Sequence, residues 1–514
     1  MRATATPAAV DYADIQGIVR FGYGKMTQAA YLLARVKDPA AARGWLRTAQ
    51  VNNAVVASPP PTTALQIAFT APGLAALGVE PSIIDQFSHE FRGGITDGNR
   101  VRRSGDVGDN APANWEWGCD CGASTPVPHA VFLTFAQPDA ESGGGLDAFI
   151  RRTINDDWAR GFELLRRLDT NDIGGIEPFG FADGISQPTI DWEQSRDPSG
   201  AHIEYGNVVA LGEFLLGYRN EYGKYTERPL VDASDNGASD GLLAAENAPD
   251  MKDLGRNGTY LVMRQLEQDV RGFWRFMQAR AEEANDASLL DRLSSAFVGR
   301  TRNGMPLVPV NDAAIEGVAT DANTVRQNQF TFDQDPSGAK CPFGSHVRRV
   351  NPRNSDVPGH PTGLKKLFAM LGLSRRAFRE DLTSSVRFHR VLRRGREYGP
   401  ALSPADAVQP APKDDAKRGL HFLCLNANIS RQFEFLQNAW VMSTKFSGLT
   451  GASDPLLGNR APLPGCPATN DFVLESDGAA RKRVTGLPRF ITVRGGGYFF
   501  LPSLRAIQFF ASDR

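Results

Sequence analysis

The chain has 514 residues, 41% of them hydrophobic and 22% charged, with 51 glycines and 33 prolines. That length exceeds what a single core usually fills, so two domains or a duplicated unit are expected, and the composition excludes general disorder. With 57 basic and 58 acidic residues the formal charge is -1, which supplies no field for drawing in nucleic acid or an anionic membrane.

The first residues, MRATATPAAVDYADIQG, show neither a basic start with an apolar run nor a twin arginine. A cytoplasmic location is therefore expected. No uncharged apolar stretch approaches the roughly 18 residues that span a bilayer. AAYLLARVKDPAAARGWLRTAQ at 29 to 50 reads as a strand ending near Val36 and a helix beginning near Pro39. ALQIAFTAPGLAALG at 64 to 78 is a second strand and helix. In GCDCG, Cys119 and Cys121 lack the second close pair that a tetrahedral zinc site needs, so they are read as free thiols in a loop. HAVFLTFA at 129 to 136 is a strand, and LDAFIRRTINDDWARGFELLRRL at 146 to 168 has the pattern of one long amphipathic helix.

EPFGFADGISQP at 177 to 188 places Asp183 between Gly180 and Gly184, where backbone can approach a ligand closely. The same residues also suit an ordinary turn whose carboxylate binds local amides. GTYLVMRQLEQDVRGFWRFMQ at 258 to 278 repeats the strand-then-helix pattern: Tyr260 and Trp274 are fourteen positions apart, as are Tyr31 and Trp45. CPFGSHVRRVNPR at 341 to 353 carries His346, one of seven histidines, followed by arginines. An imidazole there can ligate iron, although a lone histidine is more often satisfied by backbone. FHRVLRRGREYGP at 388 to 400 holds Arg393, Arg394 and Tyr398, and HFLCLNANISRQFEFLQNAW at 421 to 440 is a further strand and helix. Polar, glycine-rich stretches at 100 to 128, 193 to 257, 300 to 340 and 445 to 488 are too long for turns and read as binding loops or covers. Two halves divided near residue 205 emerge, each α+β and of ferredoxin-like character, with helices outside and sheets facing a shared interior.

Together these segments resemble the dye-decolourising peroxidases. GFADG matches that family's G-x-x-D-G mark, CPFGSHVRRVNPR resembles its proximal-histidine segment, VLRRGREYG its distal-arginine segment, and GGGYFFLPSLRA at 495 to 506 its C-terminal strand, all in the family's order. The resemblance implies two ferredoxin-like domains, 1–205 with the GFADG loop and 206–514 holding haem b, and a peroxidase that reduces hydrogen peroxide while oxidising dyes, phenols or other aromatic donors. It implies Asp183 as distal acid-base residue, Arg393 rather than Arg394 as distal cation, and His346 as axial iron ligand. Arg353 and Arg349, with Arg348 a further candidate, and Gly184, Ile185 and Ser186 are expected around the cofactor, and Glu434 is a candidate carboxylate for His346. Tyr398 and Trp440 are possible electron carriers toward bulky dyes. Peroxide and small aromatics are the expected partners, with no nucleic acid or membrane, in a monomer or homo-oligomer. A non-catalytic haem carrier, or another haem enzyme on the same fold, is the alternative. The chain departs from many relatives at REYG, where those relatives have proline before the aromatic residue.

Overall fold

The computed structural model describes residues 9–121, 126–195, 207–233, 237, 239–310, 327–354, 385–462, 469–478 and 480–512. Its first strand, β1 (Gln28–Val36), is apolar along nearly its whole length because both of its faces are buried. Ala30, Leu32 and Ala34 point to the helices, while Ala29, Tyr31 and Leu33 point to the other side of the sheet. The Ala41 N–H donates to the Asp38 side chain, and with proline at the first helical position this starts α1 (Pro39–Thr48). β2 (Thr63–Phe69) and β3 (Ala130–Ala136) follow.

The single helix expected over 146 to 168 is not formed. The segment makes α2 (Gly145–Thr153), a second short helix α3 (Asp156–Gly161), and then β4 (Phe162–Asp169) on the free edge of β1. Asn155 starts α3 by accepting the Trp158 N–H at 3.0 Å, and Gly161 lies so close to the backbone of Ala42 that no side chain fits there. Helical periodicity in the sequence was outweighed by the unpaired backbone groups of β1, which FELLRRLD satisfies.

The second half repeats the plan with β5 (Thr259–Gln268), α4 (Val270–Glu283), α5 (Leu289–Val298), α6 (His346–Val350), the short β6 (Leu392–Arg393) and β7 (Arg396–Tyr398), β8 (Gly419–Asn426), π-helical turns at Ser430–Glu434 and Leu436–Val441, and β9 (Ile491–Leu501). The fourteen-residue spacing shared by Tyr31–Trp45 and Tyr260–Trp274 does not mark equivalent positions, since Tyr31 and Tyr260 lie on opposite faces of the sheet.

The strands form one nine-stranded sheet in the order β6–β8–β5–β9–β2–β3–β1–β4, with β7 also on β8 and every neighbouring pair antiparallel. Each half thus orders its strands second, third, first, fourth. Within the sheet the halves join where Phe69 of β2 pairs with Phe500 of β9, and Trp117 makes a further bridge to Gly495 of β9. Their inner faces nevertheless share one core, which includes Tyr31, Leu33 and Leu133 of the first half and Leu261, Leu423 and Leu425 of the second. Across it the Tyr31 ring meets His421 edge-on at 5.8 Å. The outer faces carry the helices, and there Leu266, Leu420 and Phe422 of β5 and β8 floor a cavity. Cys119 and Cys121 are joined as a disulfide rather than standing as free thiols. No helix among the described residues is long and apolar enough to cross a membrane.

Candidate active site

The cavity on the outer face of the second half measures about 230 Å³ and is walled mainly by apolar side chains, including Phe179, Phe181, Val298, Phe422 and Leu457. Asp183, His346 and Arg393, which lie far apart in the chain, all line it.

His346 opens α6, where Ser345 donates through Oγ to the carbonyl of Ala296 on α5 and ties the two helices together. The His346 Nδ1 lies 3.0 Å from Asp454 Oδ2. Asp454 is fully buried, and its other oxygen accepts the N–H groups of Leu456 and Leu457, both at 2.9 Å. Burial pushes its carboxyl up, but His346, Arg349 and the Leu457 N–H outweigh this and hold it below the usual aspartate range. The carboxylate on His346 is therefore Asp454, not Glu434. Glu434 is tied instead to Arg100 and to the hydroxyl of Tyr498, each at 3.1 Å, in a buried cluster of its own.

Asp183 sits in a loop that Glu177 shapes. The Glu177 carboxylate accepts the N–H groups of Phe179 and Phe181, both at 3.0 Å, and the Gln268 side-chain amide at 2.8 Å. Gly180 and Gly184 take φ of +93° and +78°, conformations that disfavour any side chain. Arg393, paired with Cys424 across β6 and β8, donates from Nη1 to Asp183 Oδ1 at 2.9 Å. Burial raises the Asp183 carboxyl, but Arg393, the Gly184 N–H and His346 together lower it below its ordinary value. Asp183 is thus an anion facing the cavity. Glu177, without a cation against it, is pushed by burial up to about 7.

The neighbouring Arg394 turns away and donates to the carbonyls of Ile18 and Val19. Ile185 and Ser186 line the cavity, and Gly184 serves Asp183 through its N–H. Neither Arg349 nor Arg353 does so. Arg349 is fully buried and spends its guanidinium on the carbonyls of Gly344, Trp440, Ser443 and Ala452. Arg353 binds the carbonyls of Asn328 and Phe330, both at 2.9 Å, and lies 3.7 Å over the Phe330 ring. Arg348 is engaged in the same way with Asp335 and Cys341. The cations that line the cavity beside Arg393 are Arg300 and Arg390. Arg300 donates to Ser186 Oγ at 2.7 Å, and burial followed by repulsion from Arg353 and Arg393 brings it down to about 9.

Sequence reasoning missed Asp454, Arg300, Glu177 and His389. Nothing in the local pattern of GASDP or GRTRNG reveals that a loop aspartate will meet a histidine 108 positions away, or that an arginine will be buried. Glu177 stood inside the quoted EPFGFADG segment, where its spacing to two later amides was the available signal.

No protein-family profile matches the chain. Full-length relatives do. The chain is 28% identical over 526 residues to dye-decolorizing peroxidase msp1 of Mycetinis scorodonius, covering 98% of this chain and 88% of that one. It is 27% identical to dye-decolorizing peroxidase AauDyP1 of Auricularia auricula-judae, covering 96% and 86%. The chain is thus similar, along nearly its whole length, to dye-decolorizing peroxidases. Solved structures share the fold. A decolorizing peroxidase from Auricularia auricula-judae superposes with a TM-score of 0.68 at 24% identity, covering 98% of this chain and all of that one. A dye-decolorizing peroxidase in complex with 2,6-dimethoxyphenol gives 0.66 at 23%, with the same coverage. In this chain the Asp183–Arg393 ion pair and the His346–Asp454 pair face one cavity.

Proposed function

We propose that this chain is a haem peroxidase that reduces hydrogen peroxide and takes the electrons from dyes, phenols and other aromatic donors. The observation that carries this reading is the convergence, in one apolar cavity, of a carboxylate-bound histidine and an ionised aspartate–arginine pair. With Nδ1 committed to Asp454, the His346 ring has Nε2 left for a metal, and the carboxylate fixes its orientation and raises its basicity. Apolar walls with Arg300 and Arg390 at the lining suit a flat hydrophobic macrocycle that bears two carboxylates, such as haem b. His346 would hold the iron, with Arg300 and Arg390 toward the propionates.

Bound haem supplies the iron on which the peroxide O–O bond is split and the capacity to store oxidising equivalents. The protein's part is proton and charge handling. Asp183, ionised at rest, takes a proton from one peroxide oxygen and returns it to the other, so that the leaving oxygen departs as water. Arg393 stays protonated and stabilises the negative charge that develops as the bond opens. Asp454 holds His346 in one tautomer throughout. The donors are proposed by analogy with the neighbour that binds 2,6-dimethoxyphenol. The halves are proposed as duplicated ferredoxin-like domains, 1–205 and 206–514, with haem in the second and Asp183 reaching it from the first.

The test is the visible spectrum and peroxide-dependent dye oxidation of the haem-loaded wild type, Asp183→Asn and His346→Ala. A Soret band with dye oxidation is expected in the wild type. Asp183→Asn should keep the band and lose about a hundred- to ten-thousand-fold in rate, and His346→Ala should lose or alter the band. Absence of a Soret band after haem loading of the wild type would exclude the reading.

A further inference from the structure

Along β5 the helix-facing positions are Tyr260, Val262, Arg264 and Leu266, so a guanidinium stands where the strand's register calls for an apolar side chain. Arg264 is buried there against Asp106, which is buried as well. The turn after the short helix Gly98–Ser104 brings Asp106 inward: Gly105 takes φ of +71° and lies so close to Met442 that no side chain fits. Arg264 Nη2 donates to Asp106 Oδ1, and the pairing stops at that one bond. Asp106 Oδ2 and Arg264 Nε and Nη1 have no hydrogen-bond partner among the described residues.

Both residues line a second chamber of about 50 Å³, which shares Leu266, Phe422, Phe433 and Gln437 with the main cavity. Gln437 is fixed at this common wall, where its Nε2 donates to the Ser104 carbonyl at 3.1 Å. Asn110, also at the chamber, already accepts Trp115 Nε1–H on its carbonyl at 2.9 Å and the Val493 N–H on Oδ1 at 3.0 Å. A buried carboxylate oxygen and two buried guanidinium nitrogens without partners oppose folding, and native proteins meet such groups with protein or with ordered water. A water needs roughly 10–15 Å³ of enclosed space and about two to four polar partners, so the chamber offers both the room and, at Asp106 and Arg264, the partners. The ion pair is neutral in sum and favours neither an anion nor a cation. Asp106 Oδ2 requires a donor, while Arg264 Nε and Nη1 require an acceptor, and a hydroxyl group is both.

We propose that this chamber is a binding site for small neutral hydroxylic molecules, which donate to Asp106 Oδ2 and accept from Arg264. Water and hydrogen peroxide share that chemistry and that size. The chamber is an annexe of the main cavity, too small for an aromatic donor, and its occupant completes the hydrogen bonding of an ion pair that the protein alone leaves half satisfied. The site stands on the chamber's own geometry and is independent of the peroxidase reading above.

The experiment is a high-resolution crystal structure of the full chain, from crystals kept in water-based buffer and from crystals soaked in hydrogen peroxide. Density for a bound oxygen within hydrogen-bond distance of both Asp106 Oδ2 and Arg264 is expected in the first. In the second, elongated density for two bonded oxygens assigns the site to peroxide as well as water, and unchanged density assigns it to water alone. In solution, oxygen-17 magnetic relaxation dispersion measures long-lived internal water in the wild type and in the double variant Asp106→Leu/Arg264→Met, which replaces both polar partners with apolar side chains. The long-lived component should be smaller in the double variant by one molecule or more, with circular dichroism confirming that the variant is folded. An unchanged component in the folded double variant overturns the proposal. So does a wild-type chamber free of density in a map that shows other buried waters, and this result holds even where the double variant does not fold. Neither outcome touches the peroxidase reading, which the haem spectrum and dye oxidation decide.

Discussion

Opposing forces act on Asp183. Burial alone would raise its carboxyl, but Arg393 at 2.9 Å and the Gly184 N–H turn the balance toward the anion. Its folded value lies below the ordinary one, so the base form is present at neutral pH and is lost only as pH falls well into acid. Arg393→Leu removes the largest lowering influence and leaves burial in place. The carboxyl must then rise, and the acid limb of kcat/KM for peroxide should move to higher pH, in addition to a loss of about a hundred- to a thousand-fold at the optimum. A pH–rate profile of wild type and variant checks this, and an unmoved acid limb would mean that another group sets it. Asp183, Arg393 and His346 were singled out because their segments resemble those of a known family; the residues alone left a turn aspartate, a backbone-satisfied histidine and a solvated arginine run open. Asp454 was not singled out, because its role is created by a contact between loops that no spacing encodes. Glu434 illustrates the converse: a carboxylate on a helix near the right place was claimed by Arg100 and Tyr498 instead.

At the level of elements, buried strands could be read directly, since β1 and β3 are almost wholly apolar and β5 and β8 carry apolar runs at 260–263 and 422–425. Segment 146 to 168 could not, because amphipathic helix and edge strand share much of their composition there and the choice belonged to β1, whose edge needed a partner. The covering loops are fitted to the sheet just as closely. Trp117 packs its ring against Gly495 of β9 and donates from Nε1 to Gln265 of β5 at 2.8 Å, so a methyl group on Gly495 has no space. Gly495→Ala should therefore destabilise the protein by about 1 to 3 kcal/mol, as over-packing does in well-filled cores, measurable by denaturant unfolding. A cost below about half a kilocalorie per mole, the range of neutral surface changes, would show that the Trp117 loop yields easily.

For the whole molecule, the decisive fact is that two similar halves share an interior while, among the described strands, only β2 and β9 pair across their edges. Tyr31, Leu33 and Leu133 would face water if the second half were removed, so residues 1–205 expressed alone should show no cooperative thermal transition, whereas the full chain should melt with one dominant transition. A cooperative melt of the isolated half would show that its inner face is covered without Leu261, Leu423 and Leu425. The sequence by itself determined the strand-and-helix halves and the order of the motif-bearing segments, because hydrophobic period and glycine-dependent turns are local properties, while Asp183, His346 and Arg393 were singled out by the family resemblance those segments carry. Only the tertiary structure decided that Asp454 supports His346, that Arg300 and Arg390 rather than Arg349 and Arg353 line the cavity, and that 162 to 169 is a strand. Those outcomes depend on which groups compete for the same buried donors, acceptors and edges, and that competition is settled only when distant segments pack together.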